Sequence, residues 1–337
     1  MIVLELGLSL AVGFVVSIVI LIAFGYDPLR CITIMFSYGF RDVYYLLSRA
    51  TPLIATGIAF AIPLLAGLFN IGSEGQLYIG ALTTIVVAHY LGNGILALIA
   101  GICAGAAVAG LIAILKVYRD INEVVSSIMF NWTLFYLILF LITNYLYDPT
   151  IPHQSVSVPK SVQLGIITIG NIRITIAFII AVLGAIIAYL IVYRSGIGYA
   201  IRVTGYSDKT ALYAGIDPRK TKILALVLGG AFAGFGGALQ ALGIVPYIDT
   251  TMSTLFGLGF TGIGVALLGR SNPIGIVFAA LFVSGLFIGG QMMELKTNVP
   301  PELADVIIGI VIIALALPYA YRTIVYWIKT RAKVRRL

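Results

Sequence analysis

Apolar residues fill ten separate stretches of the chain, and polar or charged residues collect between them. Each stretch is close to the ~20 residues that a helix needs to cross the hydrocarbon core of a bilayer. The pattern predicts an all-α protein, a polytopic transmembrane helical bundle of about ten spans that forms one domain over residues 1–337. The predicted spans are 2–24, 50–68, 76–90, 94–115, 124–147, 173–193, 223–244, 253–268, 273–290 and 303–321.

Composition places the chain among membrane proteins. Hydrophobic residues make up 61% of its 337 residues and charged residues only 10%, whereas soluble domains contain about 25% charged residues. The net charge of +8 comes mostly from loops and the C-terminal tail, as orientation signals do, so we do not interpret it as nucleic-acid binding. Ten spans put both termini on one side, and the basic tail predicts that this side is the cytoplasm. The tail contains Lys329, Arg331, Lys333, Arg335 and Arg336.

The sequence has no pattern typical of an enzyme or of a metal site. It contains two cysteines and two histidines, and the HExxH, GxSxG and Walker A motifs are missing. The segment GYSDKT at 205–210 has Asp208 where a Walker A motif requires glycine before its lysine. We therefore expect no catalytic residue, metal ligand or cofactor in this chain, and no ATP hydrolysis by the chain alone.

A polar loop at 194–222 contains the signals of one short helix, over residues 207–214. Ser207 is a suitable N-cap, and Asp208 in the first turn suits the positive end of the helix dipole. Gly215 is suited to end the helix. Lys209 and Tyr213 fall within the helix, and the basic residues of the loop place it in the cytoplasm. Such a helix could dock a soluble partner, or the loop could serve only to hold orientation. The pattern alone leaves both interpretations open.

The apolar helix after this loop contains Gly230, Gly234 and Gly237. Small residues at this spacing allow helix backbones to approach closely in a membrane. We interpret the glycines as a packing face and not as a binding site. The spacing does not say whether the partner helix belongs to this chain or to another.

The stretch GLFNIGSEGQLYIG at 67–80 interrupts two apolar runs with Asn70, Glu74 and Gln76. Non-helical backbone at membrane depth is tolerated only inside protein or beside a water-filled cavity. An acid at this depth should be paired, protonated or exposed to water. One interpretation is a broken helix that borders a transport pathway. The other is a tight cytoplasmic turn in which Glu74 caps a helix start.

Asn131 and Trp132 lie in the predicted span 124–147. An asparagine within a span often makes hydrogen bonds between helices, and it could equally bind a polar solute.

Ion-coupled carriers usually hold several ionisable residues at membrane depth. Glu74 is the one candidate here, which weakens the hypothesis of an ion-coupled carrier.

Four stretches together resemble one family. GLFNIGSEGQLYIGAL is similar to a motif of permease subunits in nucleoside and simple-sugar ABC importers. EVVSSIMFNW, GYSDKTALYAGIDPRK with GGAFAGFGGALQALG, and GFTGIGVALLGRSNPIG resemble further segments of the same family. These matches spread from Thr51 to Gly275, and NIGSEGQ resembles the nucleoside branch.

The resemblance implies a type II ABC importer permease fold, as in branched-chain amino acid, ribose and nucleoside importers. It also implies a second homologous permease chain, forming a heterodimer or a homodimer, together with ABC ATPase subunits that hold ATP and Mg²⁺ and an extracytoplasmic solute-binding protein. The loop 194–222 becomes an expected ATPase coupling loop, with Ser207, Asp208, Lys209, Tyr213 and Gly215 at the contact. The expected substrate is a nucleoside. A simple sugar, or an ATP-independent carrier or channel, is the alternative.

Overall fold

The computed structural model describes residues 2–151, 153–170, 172–250 and 257–316. The basic tail, residues 253–256 of one predicted span and residues 317–321 of another lie outside this part. The described residues form thirteen helices and one two-stranded hairpin. The helices are α1 (Ile2–Ala23), α2 (Pro28–Gly39), α3 (Val43–Leu65), α4 (Ser73–Leu91), α5 (Gly94–Arg119), α6 (Glu123–Tyr145), α7 (Ile176–Arg194), α8 (Gly196–Tyr206), α9 (Asp208–Tyr213), α10 (Pro218–Gly243), α11 (Leu258–Leu268), α12 (Pro273–Thr297) and α13 (Pro301–Ala316).

Six of these helices are long and apolar enough to cross a membrane: α3, α5, α6, α7, α10 and α12. The protein is therefore a polytopic helical membrane protein. The other four predicted spans coincide with α1, α4, α11 and α13. In the described residues α11 has 11 residues and α13 has 16, so the structure does not establish ten full spans.

The chain divides into two compact units. One contains residues 1–42 and 282–337, and the other contains residues 43–281. In the first unit, α1 packs against α13, and its core includes Leu21, Cys31 and Met293. The second unit contains every residue of the candidate site. Its central helix is α10, which packs against α3, α4 and α5.

Glycines allow these helices to meet backbone to backbone. A Cβ on Gly234 would overlap the carbonyl oxygen of Gly101 on α5, and a Cβ on Gly80 of α4 would lie 2.6 Å from the Cα of Gly234. Gly230 lies against α5 and Gly237 against the Leu77 carbonyl of α4. The partner helices of this packing face therefore belong to the same chain.

The all-α prediction is wrong at one point, where strands β1 (Ile166–Ile169) and β2 (Ile172–Thr175) pair antiparallel. The physical reason is local, because seven of the eight strand residues are β-branched and favour extended backbone. Gly170, at the end of β1, has a φ of +59° that favours glycine. The start of α3 also differs from the prediction, since the helix begins at Val43 and Arg49 does not interrupt it.

Candidate functional site

The predicted break between two helices is present. The α3 helix ends at Leu65, and α4 begins at Ser73. Gly67 turns the chain with a φ of +78°. Asn70 and Gln76 close the break with a reciprocal pair of side-chain hydrogen bonds, of 2.9 Å from Asn70 Nδ2 to Gln76 Oε1 and 3.0 Å from Gln76 Nε2 to Asn70 Oδ1. Both side chains are fully buried.

Asn131 connects α6 to the same break. Its Oδ1 accepts a 2.9 Å hydrogen bond from the Gly75 backbone N–H, and its Nδ2 donates a 3.0 Å bond to the Ile71 carbonyl. Asn70 Nδ2 also donates to the Ala59 carbonyl of α3, at 3.2 Å. Three buried amides thus satisfy each other and the irregular backbone. These buried polar groups are thus paired within the protein, as they must be wherever water is absent.

Glu74 is fully buried in the first turn of α4. Its Oε1 accepts a hydrogen bond from the Gly257 N–H at 2.8 Å, and its Oε2 accepts from Gly259 at 2.6 Å and Phe260 at 3.2 Å. These N–H groups form the start of α11, where unpaired donors and the helix dipole favour a negative charge. Among the described residues, the partners of Glu74 are therefore peptide groups and not a cation. Glu74 does cap a helix start, but it lies in protein and not in a water-exposed turn.

Trp132 lies outside this hydrogen-bonded cluster. It follows Asn131 on α6, and 47% of its surface is exposed. Its ring stacks against Tyr136 with the centroids 6.2 Å apart. The structure therefore brings together Asn70, Glu74, Gln76 and Asn131, and it leaves Trp132 on the adjacent exposed face.

The polar loop 194–222 contains two helices where the sequence predicted one. The expected short helix is present as α9, from Asp208 to Tyr213, with Ser207 at its N-cap and Gly215 after its end at a φ of +73°. The Ser207 side chain makes no capping hydrogen bond. The additional helix, α8, begins after Ser195, whose hydroxyl oxygen accepts from the Gly198 N–H at 3.2 Å.

Aromatic and basic side chains project from α8 and α9. Tyr206 is 89% exposed and Tyr213 is 93% exposed, and Lys209 is also exposed. Asp208 forms a 2.7 Å ion pair with Lys222 at the start of α10. This bond ties α9 to a long apolar helix.

The α8 helix also contacts the end of α3, directly before the break. A Cβ on Gly205 would overlap the carbonyl oxygen of Leu65 and would lie 3.3 Å from the Cα of Ala66. The backbone of the exposed two-helix segment therefore rests on the residues that lead into Gly67 and Asn70. Sequence reasoning missed Gly205, which lies one residue before the end of α8.

Gly257 and Gly259, the partners of Glu74, were also missed as site residues. Nothing in a single sequence relates these glycines to a carboxylate more than 180 residues away. Within the described residues, no group of three histidine, cysteine, aspartate or glutamate side chains could hold a metal ion. The site therefore consists of buried polar side chains that hydrogen-bond mainly to backbone groups.

A model of the family described as branched-chain amino acid transport system permease component matches residues 42–316. Over 96% of both chains, the protein is 32% identical to the guanosine ABC transporter permease protein NupP of Bacillus subtilis. It is 30% identical to the nucleoside ABC transporter permease protein NupB of Lactococcus lactis, over 93% of this chain and 90% of NupB. The glucose ABC transporter permease protein TsgB13 of Haloferax volcanii is 31% identical, over 91% of this chain and 84% of TsgB13.

Bacillus subtilis has a second matching guanosine permease protein, NupQ, which is 28% identical over 74% of this chain and 83% of its own length. No solved structure matches the chain. The family that the sequence motifs predict is confirmed by the match over 42–316 and by the end-to-end similarity to NupP. The chain therefore belongs to the permease family of branched-chain amino acid, nucleoside and simple-sugar ABC transporters, whose members are transport subunits and not enzymes.

Proposed function

We propose that this chain is the permease subunit of an ATP-driven importer that moves nucleosides across the cytoplasmic membrane. The observation that carries the proposal is the similarity to NupP, a permease named for guanosine, over 96% of both chains. A simple sugar is the second candidate substrate, because TsgB13 is named for glucose and is 31% identical.

The proposed assembly contains a second homologous permease chain. The two guanosine permeases of Bacillus subtilis, NupP and NupQ, both match this chain and support a heterodimer. A homodimer is the alternative. ABC ATPase subunits would hold ATP and Mg²⁺, since this chain lacks a Walker A motif, and an extracytoplasmic solute-binding protein would deliver the substrate.

The proposed topology has ten spans with both termini in the cytoplasm. Six helices meet the length and apolarity of a span, and α1, α4, α11 and α13 would supply the other four. The basic residues of 194–222 favour a cytoplasmic position for α8 and α9. The whole chain would then be one transmembrane permease domain.

The α9 helix is the proposed contact with the ATPase. Ser207 and Gly215 delimit it, and Lys209 and Tyr213 extend from it. The Asp208–Lys222 ion pair and the contact of Gly205 with Leu65 would transmit a displacement of this segment to α10 and to the break.

The break at 66–72 is the proposed border of the transport pathway. In this proposal Asn70, Gln76 and Asn131 position the backbone of the break, because their hydrogen bonds are directed into the protein. Glu74 positions α11 in the same way. Trp132 is the member of the predicted pathway set that is exposed to a solute.

Reconstitution in proteoliposomes tests the proposed function. The permease pair, the ATPase and the solute-binding protein encoded with it are purified together, and uptake of radiolabelled guanosine is measured with and without ATP. We expect uptake that requires hydrolysable ATP. ATP-dependent uptake of glucose alone would favour the sugar permease, and guanosine uptake without ATP would favour a carrier or channel.

A further inference from the structure

We infer that Trp132 and Tyr136 form an aromatic platform on which the base of the nucleoside stacks as it passes along α6. The inference rests on the proposed function and names a substrate subsite within it. The two rings lie one turn apart on α6, with an interplanar angle of 28° and centroids 6.2 Å apart. Trp132 is 47% exposed and Tyr136 is 62% exposed, so both rings remain accessible.

The platform is supported from behind by a buried aromatic pair. Phe135 meets the Trp132 ring edge-on at 5.9 Å and the Tyr136 ring edge-on at 5.3 Å. Phe135 in turn stacks on Tyr78 of α4, with the centroids 6.1 Å apart. Because Phe135 and Tyr78 are buried, the exposed rings are held in place before any ligand arrives, which lowers the entropic cost of binding.

The depth of the platform argues against ordinary lipid contact. Tyr136 lies 13 residues after the first residue of α6 and nine before the last, or about 20 Å and about 14 Å along the helix axis. Tryptophan and tyrosine that face lipid concentrate at the two interfaces, where their polar atoms meet water. Among the described residues, neither the Trp132 N–H nor the Tyr136 hydroxyl has a hydrogen-bond partner. An unpaired polar group costs several kcal/mol in hydrocarbon, so this face favours water or a polar ligand over lipid.

The chemistry of the platform suits a flat, neutral ligand with polar edges. Residues 124–147 contain no charged side chain, so a charged solute would find no counter-ion on this helix. Stacking on aromatic rings recognises any nucleobase, because every base has a π-face. The indole N–H and the phenolic hydroxyl can meet the polar edge of a base or the ribose hydroxyls. Asn131, one residue before Trp132, anchors the platform to the break.

Uptake by the reconstituted complex tests the platform with three variants of this chain. Trp132→Leu removes the ring, Trp132→Phe keeps an aromatic face, and Phe140→Leu changes an exposed ring of α6 that contacts Tyr145 and not Trp132. We expect Trp132→Leu to lower the initial rate of guanosine uptake per assembled complex about tenfold at sub-saturating substrate. The guanosine uptake rate of Trp132→Phe should stay within about threefold of the wild-type rate, and the rate of Phe140→Leu should equal it. The loss in Trp132→Leu should be smaller for uridine, whose single ring overlaps the platform less.

The outcomes separate this inference from the proposed function. If the wild-type complex takes up no nucleoside, the proposed function fails and the inference with it. If the wild type transports guanosine and Trp132→Leu transports it equally well, only the platform is refuted. A Trp132→Leu chain that loses its partner permease, while the remaining complex transports normally, would show that this face packs against the second chain and would also overturn the inference.

Discussion

The carboxylate of Glu74 accepts a 2.6 Å hydrogen bond from the backbone N–H of Gly259, although 185 residues separate them. The bond joins the first turn of α4 to the first turn of α11. A single buried carboxylate therefore lies at two helix N-termini, each of which favours negative charge. Glu74 is therefore a buried polar contact that holds the start of α11.

Replacing Glu74 with glutamine should destabilise the permease. Glutamine keeps the shape but removes the charge, and its amide nitrogen would face one of the three N–H donors. Hydrogen bonds to charged groups contribute about 1.5–3 kcal/mol each, so we expect the free energy of unfolding to fall by about 2–4 kcal/mol. The measurement is thermal unfolding of the purified complex, together with guanosine uptake per complex.

Glu302→Gln provides the control for this change. Glu302 also lies in the first turn of a helix, α13, but its side chain is exposed. Loss of the Glu302 charge should lower the free energy of unfolding by no more than about 1 kcal/mol, which is the contribution of a charge at an exposed helix end. Equal stability and equal uptake in Glu74→Gln and wild type would show that the buried carboxylate does not hold α11.

Gly234→Ala should impair folding of the second unit, because the added methyl would overlap the Gly101 carbonyl oxygen and lie 3.1 Å from the Gly105 Cα. Overpacking of this kind typically lowers the free energy of unfolding by about 2 kcal/mol. Gly110→Ala on α5 is the matched control, since its methyl would meet only Val227 at 3.6 Å. The control should be neutral or up to about 1 kcal/mol more stable, as alanine favours helix. The effect of each variant is measured as the yield of folded protein in mild detergent. A wild-type yield of Gly234→Ala would contradict the close contact between α10 and α5.

Cysteines at Lys209 and Tyr213 should cross-link to the ATPase subunit in the assembled transporter. Both side chains extend from α9 into solvent, and the chain has no nucleotide site of its own. Lys160 is an exposed residue between α6 and α7, and in the proposed topology it lies on the other side of the membrane from α9. A cysteine at this position should give no such product. A full yield of complex with no cross-link from either α9 position would mean that the ATPase binds elsewhere.

Gly205→Ala should weaken the link between ATP hydrolysis and uptake. The added methyl would collide with the Leu65 carbonyl and push α8 away from the end of α3, at a cost of about 1–3 kcal/mol. We expect fewer guanosine molecules taken up for each ATP hydrolysed. Gly196→Ala is the control, because its methyl would meet nothing within 4 Å at the start of the same helix. An unchanged ratio in Gly205→Ala would exclude a coupling role for this contact.

The positions of the long apolar helices could be predicted from the sequence, but the total number of helices could not. Apolar runs locate the spans because the bilayer demands length and apolarity, and α5, α6, α7 and α10 all fall on predicted spans. The α8 helix was missed because it is only 11 residues long and lies in a polar loop. Its start is defined by a cap at Ser195, a local signal that a search for membrane spans does not use.

The residues of the break could also be predicted, but not their roles. Glycines and isolated polar residues at 67–80 indicate irregular backbone at membrane depth. They do not reveal that Asn70 pairs with Gln76, or that Asn131 reaches across from α6. These are long-range contacts whose partners are mostly backbone atoms. Every residue has the same backbone groups, so the amino-acid type of the partner does not reveal the contact. For the same reason, the sequence could not identify the peptide N–H groups that are the partners of Glu74.

The glycine contact among α4, α5 and α10 has a mechanical consequence. Gly80, Gly101 and Gly234 have no side-chain torsions, so their interface cannot rearrange by switching rotamers. Sliding one helix past another would drive carbonyl oxygens into Cα atoms, and close-packed interiors resist such distortion. These three helices should therefore move as one rigid block during transport. Because α3 also packs against α10, any hinge must lie outside these packed helices.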